Sequence, residues 1–286
     1  MSLGIVFKGP EGIVIAADSR VTLHAELKQP DGQILILPST FDNATKLLKI
    51  NGQTFVGVVT FGLGAIGNKE PRTAHSFMPE FEAEINKEPK NRMTIEDFAN
   101  TLSKFFMRQW TDHQMPEPAG YDGSPMVFLI AGYDDETSAY GRVYEVIIPK
   151  NPKAQEKIPN EFGAIWGGQR EFVDRLMGGY DSNILQTAKA QLNLDDEQIE
   201  KLKNAYVNNR SIQIPYQFLP LQDCVDLSIF LIRATINLQQ WTIGGIRGVG
   251  GAIDVATITK VDGFKAIQQK QITGEKLKEP YHELVN

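Results

Sequence analysis

Near the start of this chain the apolar run Gly12–Ala17 leads straight into Asp18, Ser19 and Arg20. A run of that kind reads as a buried strand, yet no Gly or Pro marks a turn where it ends. An acid, a hydroxyl and a guanidinium at the end of a buried strand are either a solvated rim or part of a site. Lys46 opens the next apolar segment, "KLLKI". Nothing local couples it to Asp18, so the bland reading is a surface ion pair or two separate solvated charges. Spacing alone favours that reading over a functional pair.

Other residues able to do chemistry are weaker candidates. The single cysteine, Cys224, sits in the apolar helical pattern "LPLQDCVDLSIFLIRATINLQQW" and reads as packing rather than as a nucleophile. His24, His75, His113 and His282 have no ligand spacing, and neither CxxC nor HExxH occurs, so neither a metal nor another cofactor is expected. Gly62-x-Gly64-x-x-Gly67 has the letters of a dinucleotide-binding turn. That turn needs a helix whose N-terminus holds the pyrophosphate, and Pro71 stands where the helix interior should be. No acid-ended strand follows about 20 residues on. A second glycine cluster, Thr242 to Asp254, reads as a flexible helix-to-strand loop in preference to a close backbone approach. Trp166 and Trp241 read as core or interface residues rather than stacking platforms.

The elements that must position these groups follow from periodicity and turn chemistry. Ile5–Lys8 and Gly12–Asp18 are apolar strands joined by "GPEG", a hairpin signal. Leu27–Thr40 is a polar, turn-rich excursion holding a short apolar "ILIL". "KLLKI" and "QTFVGVVTF" flank Asn51-Gly52, a strong hairpin turn. The first sixty residues therefore read as one block of adjacent antiparallel strands. Amphipathic helices follow at "RTAHSFMPEFEAEINKE" and "TIEDFANTLSKFFMRQW", the second opened by Thr94 with Asp97 three residues on. Strands return at "PMVFLIAGYD", "GRVYEVIIP" and "FGAIWGG". Helices are then expected at "REFVDRLMGGYD", "DEQIEKLKNAYV" and Leu221–Trp241, and a last strand at "AIDVATITKVDGF". This order is not βαβαβ alternation, which disfavours a doubly wound parallel sheet. Two antiparallel sheets between helical layers fit it.

The 286 residues, 42% hydrophobic and 22% charged, suit a globular chain with a large core. A net charge of −6 argues against nucleic acid as the main partner. With one cysteine no disulfide forms within the chain, which fits a reducing compartment. No apolar run of about 18 residues suggests a membrane span, and the start lacks the pattern of a signal peptide. A cytoplasmic location is the expectation.

"LGIVFKGPEGIVIAADSRVT" resembles the opening of the proteasome β-subunit family, and bacterial proteasome-like proteins in particular. Asp18, Arg20 and Thr22 match that family's Asp-x-Arg-x-Thr pattern. "NATKLLKI" puts Lys46 at its lysine, after a link about a dozen residues longer than usual. "VVTFGLGA" puts Gly62 at its key glycine, and "GAIDVATITKVDGF" is similar to its penultimate strand. The resemblance implies an α+β fold, a four-layer αββα sandwich of two antiparallel sheets between helical layers. It further implies a single domain over 1–286, with an insertion near 24–42 and a polar C-terminal tail near 270–286. The implied activity is that of an N-terminal nucleophile hydrolase cleaving peptide bonds. The chain-start hydroxyl attacks, and the α-amine of the same residue, with an ordinary pKa of about 7.7–8.0, is the base. Lys46 holds positive charge nearby, Asp18 anchors Lys46, the Gly62 N–H binds the oxyanion, and Arg20 and Thr22 brace the strand end. The implied partners are a peptide or protein substrate and further copies of the chain in a ring or stack.

Departures from the pattern bear on activity. The family's threonine would fall just upstream of Met1. Removal of Met1 exposes Ser2, but Ser2 lies about two residues, ~7 Å of strand, inside the expected place. Gly167-Gly168 stand where a supporting serine is expected, and Gly248 and Ile246 or a neighbour stand where a late Ser and Asp belong. Three functions follow: a threonine- or serine-type peptidase using Ser2, a catalytically inactive scaffold subunit, and a nucleotide-dependent oxidoreductase using Gly62–Gly67.

Overall fold

The structure is a computed structural model that describes residues 2–29, 32–87, 92–180, 182–210, 212–243 and 247–274. Two strands with every residue buried start the chain, β1 (Leu3–Lys8) and β2 (Ile13–Asp18). They pair antiparallel from Gly4↔Ala17 to Lys8↔Ile13. β10 (Gly163–Gly168), β11 (Ile253–Thr259) and β12 (Gly263–Gln268) complete their sheet in the order β10-β1-β2-β11-β12. The second five-stranded sheet runs in sequence order: β5 (Leu47–Lys49), β6 (Val56–Gly62), β7 (Met126–Gly132), β8 (Arg142–Ile148) and β9 (Asn151–Lys157). Every pairing in both sheets is antiparallel.

Alternate residues of a strand face opposite sides, and here both sides are apolar. Val6, Ile13, Ile15 and Ala17 pack against Val59, Phe61, Val127 and Leu129 between the two sheets. Ile5, Phe7, Val14 and Ala16 point the other way. They meet Val173 of α3 (Glu171–Gly178) and Val225, Leu231 and Ile232 of the long helix further along the chain. On the outer face of the second sheet, Phe128, Ile130 and Val146 meet Phe81 of α1 (Met78–Ile85) and Phe98, Leu102 and Phe106 of α2 (Ile95–Asp112). The Thr94 hydroxyl accepts a hydrogen bond from the Asp97 N–H and starts α2 where the capping pattern predicts. α4 (Ser182–Leu192) and α5 (Asp196–Arg210) precede α6 (Leu221–Trp241).

The structure corrects several expectations. The first sixty residues do not form one block: β1–β2 and β5–β6 belong to different sheets that stack face to face. The excursion is a longer hairpin than "ILIL" suggested, β3 (Val21–Lys28) paired with β4 (Ile34–Phe41) as a separate two-stranded ribbon. β9 carries the polar sequence "NPKAQEK", which an edge strand tolerates because one side of its ladder is open. α4 was not anticipated, and the expected last strand is a hairpin of two. Among the described residues no helix is long and apolar enough to cross a membrane.

Candidate functional site

Asp18 closes β2 with no solvent exposure. Its Oδ1 accepts from Lys46 Nζ at 2.7 Å and from the Leu3 N–H at 3.0 Å. Its Oδ2 accepts from the Gly250 N–H at 3.0 Å and the Arg20 N–H at 3.1 Å. The Asp18 carboxylate therefore ties β1, the turn after β2, the approach to β11 and Lys46 to one point. Lys46 is 4% exposed and donates a second bond, 2.5 Å, to the Arg20 carbonyl. Burial pushes the Lys46 ammonium below the usual lysine pKa; Asp18 opposes that shift, while the charges of Lys270 and Arg20 add to it. The Lys46 carbonyl accepts from the Thr60 N–H at 3.0 Å, which fixes the lysine to β6 in the facing sheet.

Ser2, Lys46 and Gly62 line one recess of about 20 Å³, together with Val21, Thr60 and Leu63. Ser2 is 4% exposed, and its carbonyl accepts from the Gln169 N–H at 2.7 Å. Gly62 ends β6 with φ +89°, and a Cβ there would sit 2.1 Å from the Pro125 carbonyl oxygen, so only glycine fits. Val21 closes the recess against Gly64, where a Cβ would stand 3.1 Å from its Cγ1. The glycines at the place of an expected serine have packing reasons. A Cβ on Gly167 would lie 2.3 Å from the Phe61 ring, and one on Gly168, at φ +96°, would lie 1.9 Å from the Ser2 carbonyl oxygen.

Arg20 works through two parts. Its carbonyl holds Lys46, and its guanidinium grips Asp42 by two bonds, Nε at 2.6 Å and Nη2 at 2.8 Å, with a third bond to the Arg247 carbonyl. The hydrogen bond and charge of Asp42 raise the Arg20 pKa, and those of Arg20 lower the Asp42 pKa. Arg20 and Asp42 flank the β3–β4 hairpin at its two feet. The Thr22 hydroxyl is buried and makes no hydrogen bond among the described residues, so the bracing expected of it is not made by that group.

Asp42 and Gly250 were missed as site-building residues. The signal for Gly250 was the second glycine cluster, and at Gly250 the reading as a flexible loop is corrected to a close backbone approach. A Cβ on Gly250 would stand 2.4 Å from the Arg20 guanidinium carbon, and Gly250 also accepts from the Ser19 N–H. Ile246 lies outside the described residues.

The dinucleotide reading of Gly62–Gly67 is also corrected. After Gly67 the chain forms an Ile66↔Arg72 bridge and a 3-10 turn at Ala74–Phe77, and α1 begins only at Met78. Gly67 therefore leads into a β-bridge and not into a helix, so the strand–turn–helix that a dinucleotide-binding turn requires is not formed there. Cys224 is buried, its thiol pushed up to about 11 by burial, as packing requires. Trp166 is half-buried and its Nε1 donates to Asp174, whereas Trp241 is exposed on α6.

No family model matches the chain, and no curated protein does. Among solved structures it is similar to the Anbu (Gly-1) mutant from Hyphomicrobium sp. strain MC1, with a TM-score of 0.52 and 12% identity, over 96% of this chain and 88% of that one. Placement in the proteasome β-subunit family, which the opening residues had suggested, is therefore corrected. What the chain shares with that solved protein is the fold, a mixed α/β architecture of antiparallel sheets and helices.

Proposed function

We propose that this chain is an N-terminal nucleophile hydrolase that cleaves peptide bonds, working from Ser2 on a four-layer αββα sandwich. The sandwich is one domain over 1–286, with the β3–β4 hairpin as its insertion. The observation that carries the reading is the recess shared by Ser2, Lys46 and Gly62, with the buried Asp18 behind the lysine. The likeness to Anbu supports it at the level of fold. Removal of Met1 frees the Ser2 amine. That amine takes the proton from Ser2 Oγ as the oxygen bonds to the substrate carbonyl carbon. The Gly62 backbone meets the oxyanion. The C–N bond then breaks, the departing amine takes the proton, and an ester on Ser2 remains. Water, giving its proton to the same α-amine, hydrolyses that ester. Lys46 supplies a positive charge that favours loss of the Ser2 hydroxyl proton, and Asp18 and the Arg20 carbonyl aim it. The enzyme acts in the cytoplasm as a homo-oligomeric ring or stack.

The test is labelling with a β-lactone or a peptide epoxyketone, read by intact mass. The expected result is a chain that begins at Ser2 and gains one adduct there, with Ser2→Ala and Lys46→Ala both losing it. Unchanged labelling in Lys46→Ala overturns the mechanism. A second reading, an inactive scaffold subunit, is favoured by Gly168 and Gly248 at places expected to carry supporting polar groups. It predicts no adduct on a folded wild-type chain.

A further inference from the structure

A second buried acid–lysine couple stands beside the first. β11 pairs with β2 so that Ile253 lies opposite Asp18 and Asp254 opposite Ala17. Residues opposite one another in an antiparallel pair point to the same face, and Ala17 packs between the two sheets. Asp254 therefore enters the inter-sheet space one residue from the strand partner of Asp18. It is 2% exposed. It shares a cavity of about 210 Å³ with Leu47, the residue after Lys46, and with the exposed Lys49. A carboxylate so deeply buried needs a charge partner, and among the described residues Lys270 is that partner. The Lys270 N–H donates to Asp254 Oδ1 at 2.9 Å, and its Nζ donates to Oδ2. Gln268 Nε2 donates to the Ile253 carbonyl at 2.7 Å, so the chain after β12 is folded back onto the start of β11.

We propose that Lys270 is a positioning residue of the site: by holding Asp254 it keeps that second carboxylate from drawing Lys46 away from Asp18. The proposal deepens the peptidase reading and rests on it. Two buried carboxylates and two buried ammonium groups have two ways to pair. Only one of them leaves Lys46 aimed by Asp18 and the Arg20 carbonyl. Lys270 selects it, because its backbone N–H and its ammonium bind the two oxygens of Asp254 together. The charged groups around Lys46 are Asp18 from β2, Arg20 from the turn after it, Asp42 from the foot of the β3–β4 hairpin, and Lys270. The charge of Lys270 reaches Lys46 and lowers its pKa, as that of Arg20 does. Removing the Lys270 charge thus takes away a repulsion and uncovers the attraction of Asp254, and both raise the Lys46 pKa. Removing the Asp254 charge leaves the repulsion unopposed and lowers it.

The experiment follows the pH profile of Ser2 labelling by a β-lactone in the full chain. In the same variants it follows the titration of the Lys46 13Cε resonance, assigned by its loss in Lys46→Arg. Lys270→Met is expected to move the alkaline limb and the titration up by about half a pH unit or more, and Asp254→Asn to move both down by a similar amount. Lys270→Met should also slow labelling at neutral pH about tenfold, since Lys46 is then shared. Asp254→Asn/Lys270→Met removes the couple and should bring both readouts back towards the wild type, and Lys270→Arg, which keeps the charge, should follow the wild type. Loosened packing alone does not produce opposite shifts that cancel. With far-UV circular dichroism unchanged, shifts in one direction, an unmoved titration, or a double variant no better than Lys270→Met each overturn the proposal. A wild type that gains no adduct overturns the peptidase reading instead, and the Lys46 titration still decides whether Lys270 guards the pair.

Discussion

A lysine sealed from water must either lose its proton or find a charge partner, and Lys46 sits between those outcomes. Burial lowers its pKa while Asp18 resists. With the folded pKa below the ordinary 10.5, the folded chain releases this proton before the unfolded one does. Stability from this group therefore rises with pH between the two values, because the unfolded state binds more protons there. Labelling of Ser2, which uses the charged form, should fall over the same interval. The expected pH profile has an alkaline limb below 10.5, and Asp18→Asn should move it lower still. That variant should also cost about 3–5 kcal/mol in chemical denaturation, since it strands a buried charge. A limb at or above 10.5, or a nearly neutral Asp18→Asn, would count against the pair as described. Asp18 was readable as a candidate from residue type and position, and Lys46 from the resemblance of "NATKLLKI" to the family's lysine segment. The carbonyl of Arg20 as second acceptor was not, since a backbone group leaves no trace in residue identity.

Elements bring these groups together by their ends. β2 delivers Asp18, the foot of the β3–β4 hairpin delivers the Arg20 carbonyl, and the turn before β11 delivers the Gly250 N–H. The Arg20–Asp42 pair closes the hairpin's base, and the guanidinium lies where any Cβ on residue 250 would stand. Gly250→Ala is therefore expected to push Arg20 aside and loosen the Asp18 acceptor set. The measurable result is a melting temperature lower by several degrees, as for a loss of about 1–3 kcal/mol, together with slower labelling. If Gly250→Ala matches the wild type in both, the glycine is not needed for close approach. The apolar strands and the capped α2 were legible because their periodicity and capping are local. β9 was not, because a polar edge strand has the composition of a loop.

At the scale of the molecule, Phe61 locks the two sheets together beside the recess. Its ring fills the space over Gly4 and Gly167, where added Cβ atoms would stand 2.7 Å and 2.3 Å from it. The sheet holding Ser2 and the sheet holding Gly62 are thus spaced by one aromatic side chain. Gly167→Ala should force the ring out, destabilise the fold by about 1–3 kcal/mol, and slow labelling of Ser2 while leaving the helical content intact. Normal labelling in a destabilised Gly167→Ala would separate the lock from the site.

By itself the sequence determined the local terms: the apolar strands and the amphipathic helices, that Asp18 ends a buried strand, and that Lys46 opens the segment after the excursion. Those follow from side-chain periodicity and turn chemistry, which act over a few residues. Only the tertiary structure decided that β1–β2 and β5–β6 lie in different, facing sheets, that Gly250 is a donor to Asp18, and that Gly67 leads into a β-bridge and not into a helix. Each of these depends on which backbone approaches which across long sequence separations. Hydrophobic burial drives such approaches without direction, and only the close packing of whole layers, with Phe61 seated over Gly4 and Gly167, selects one of them.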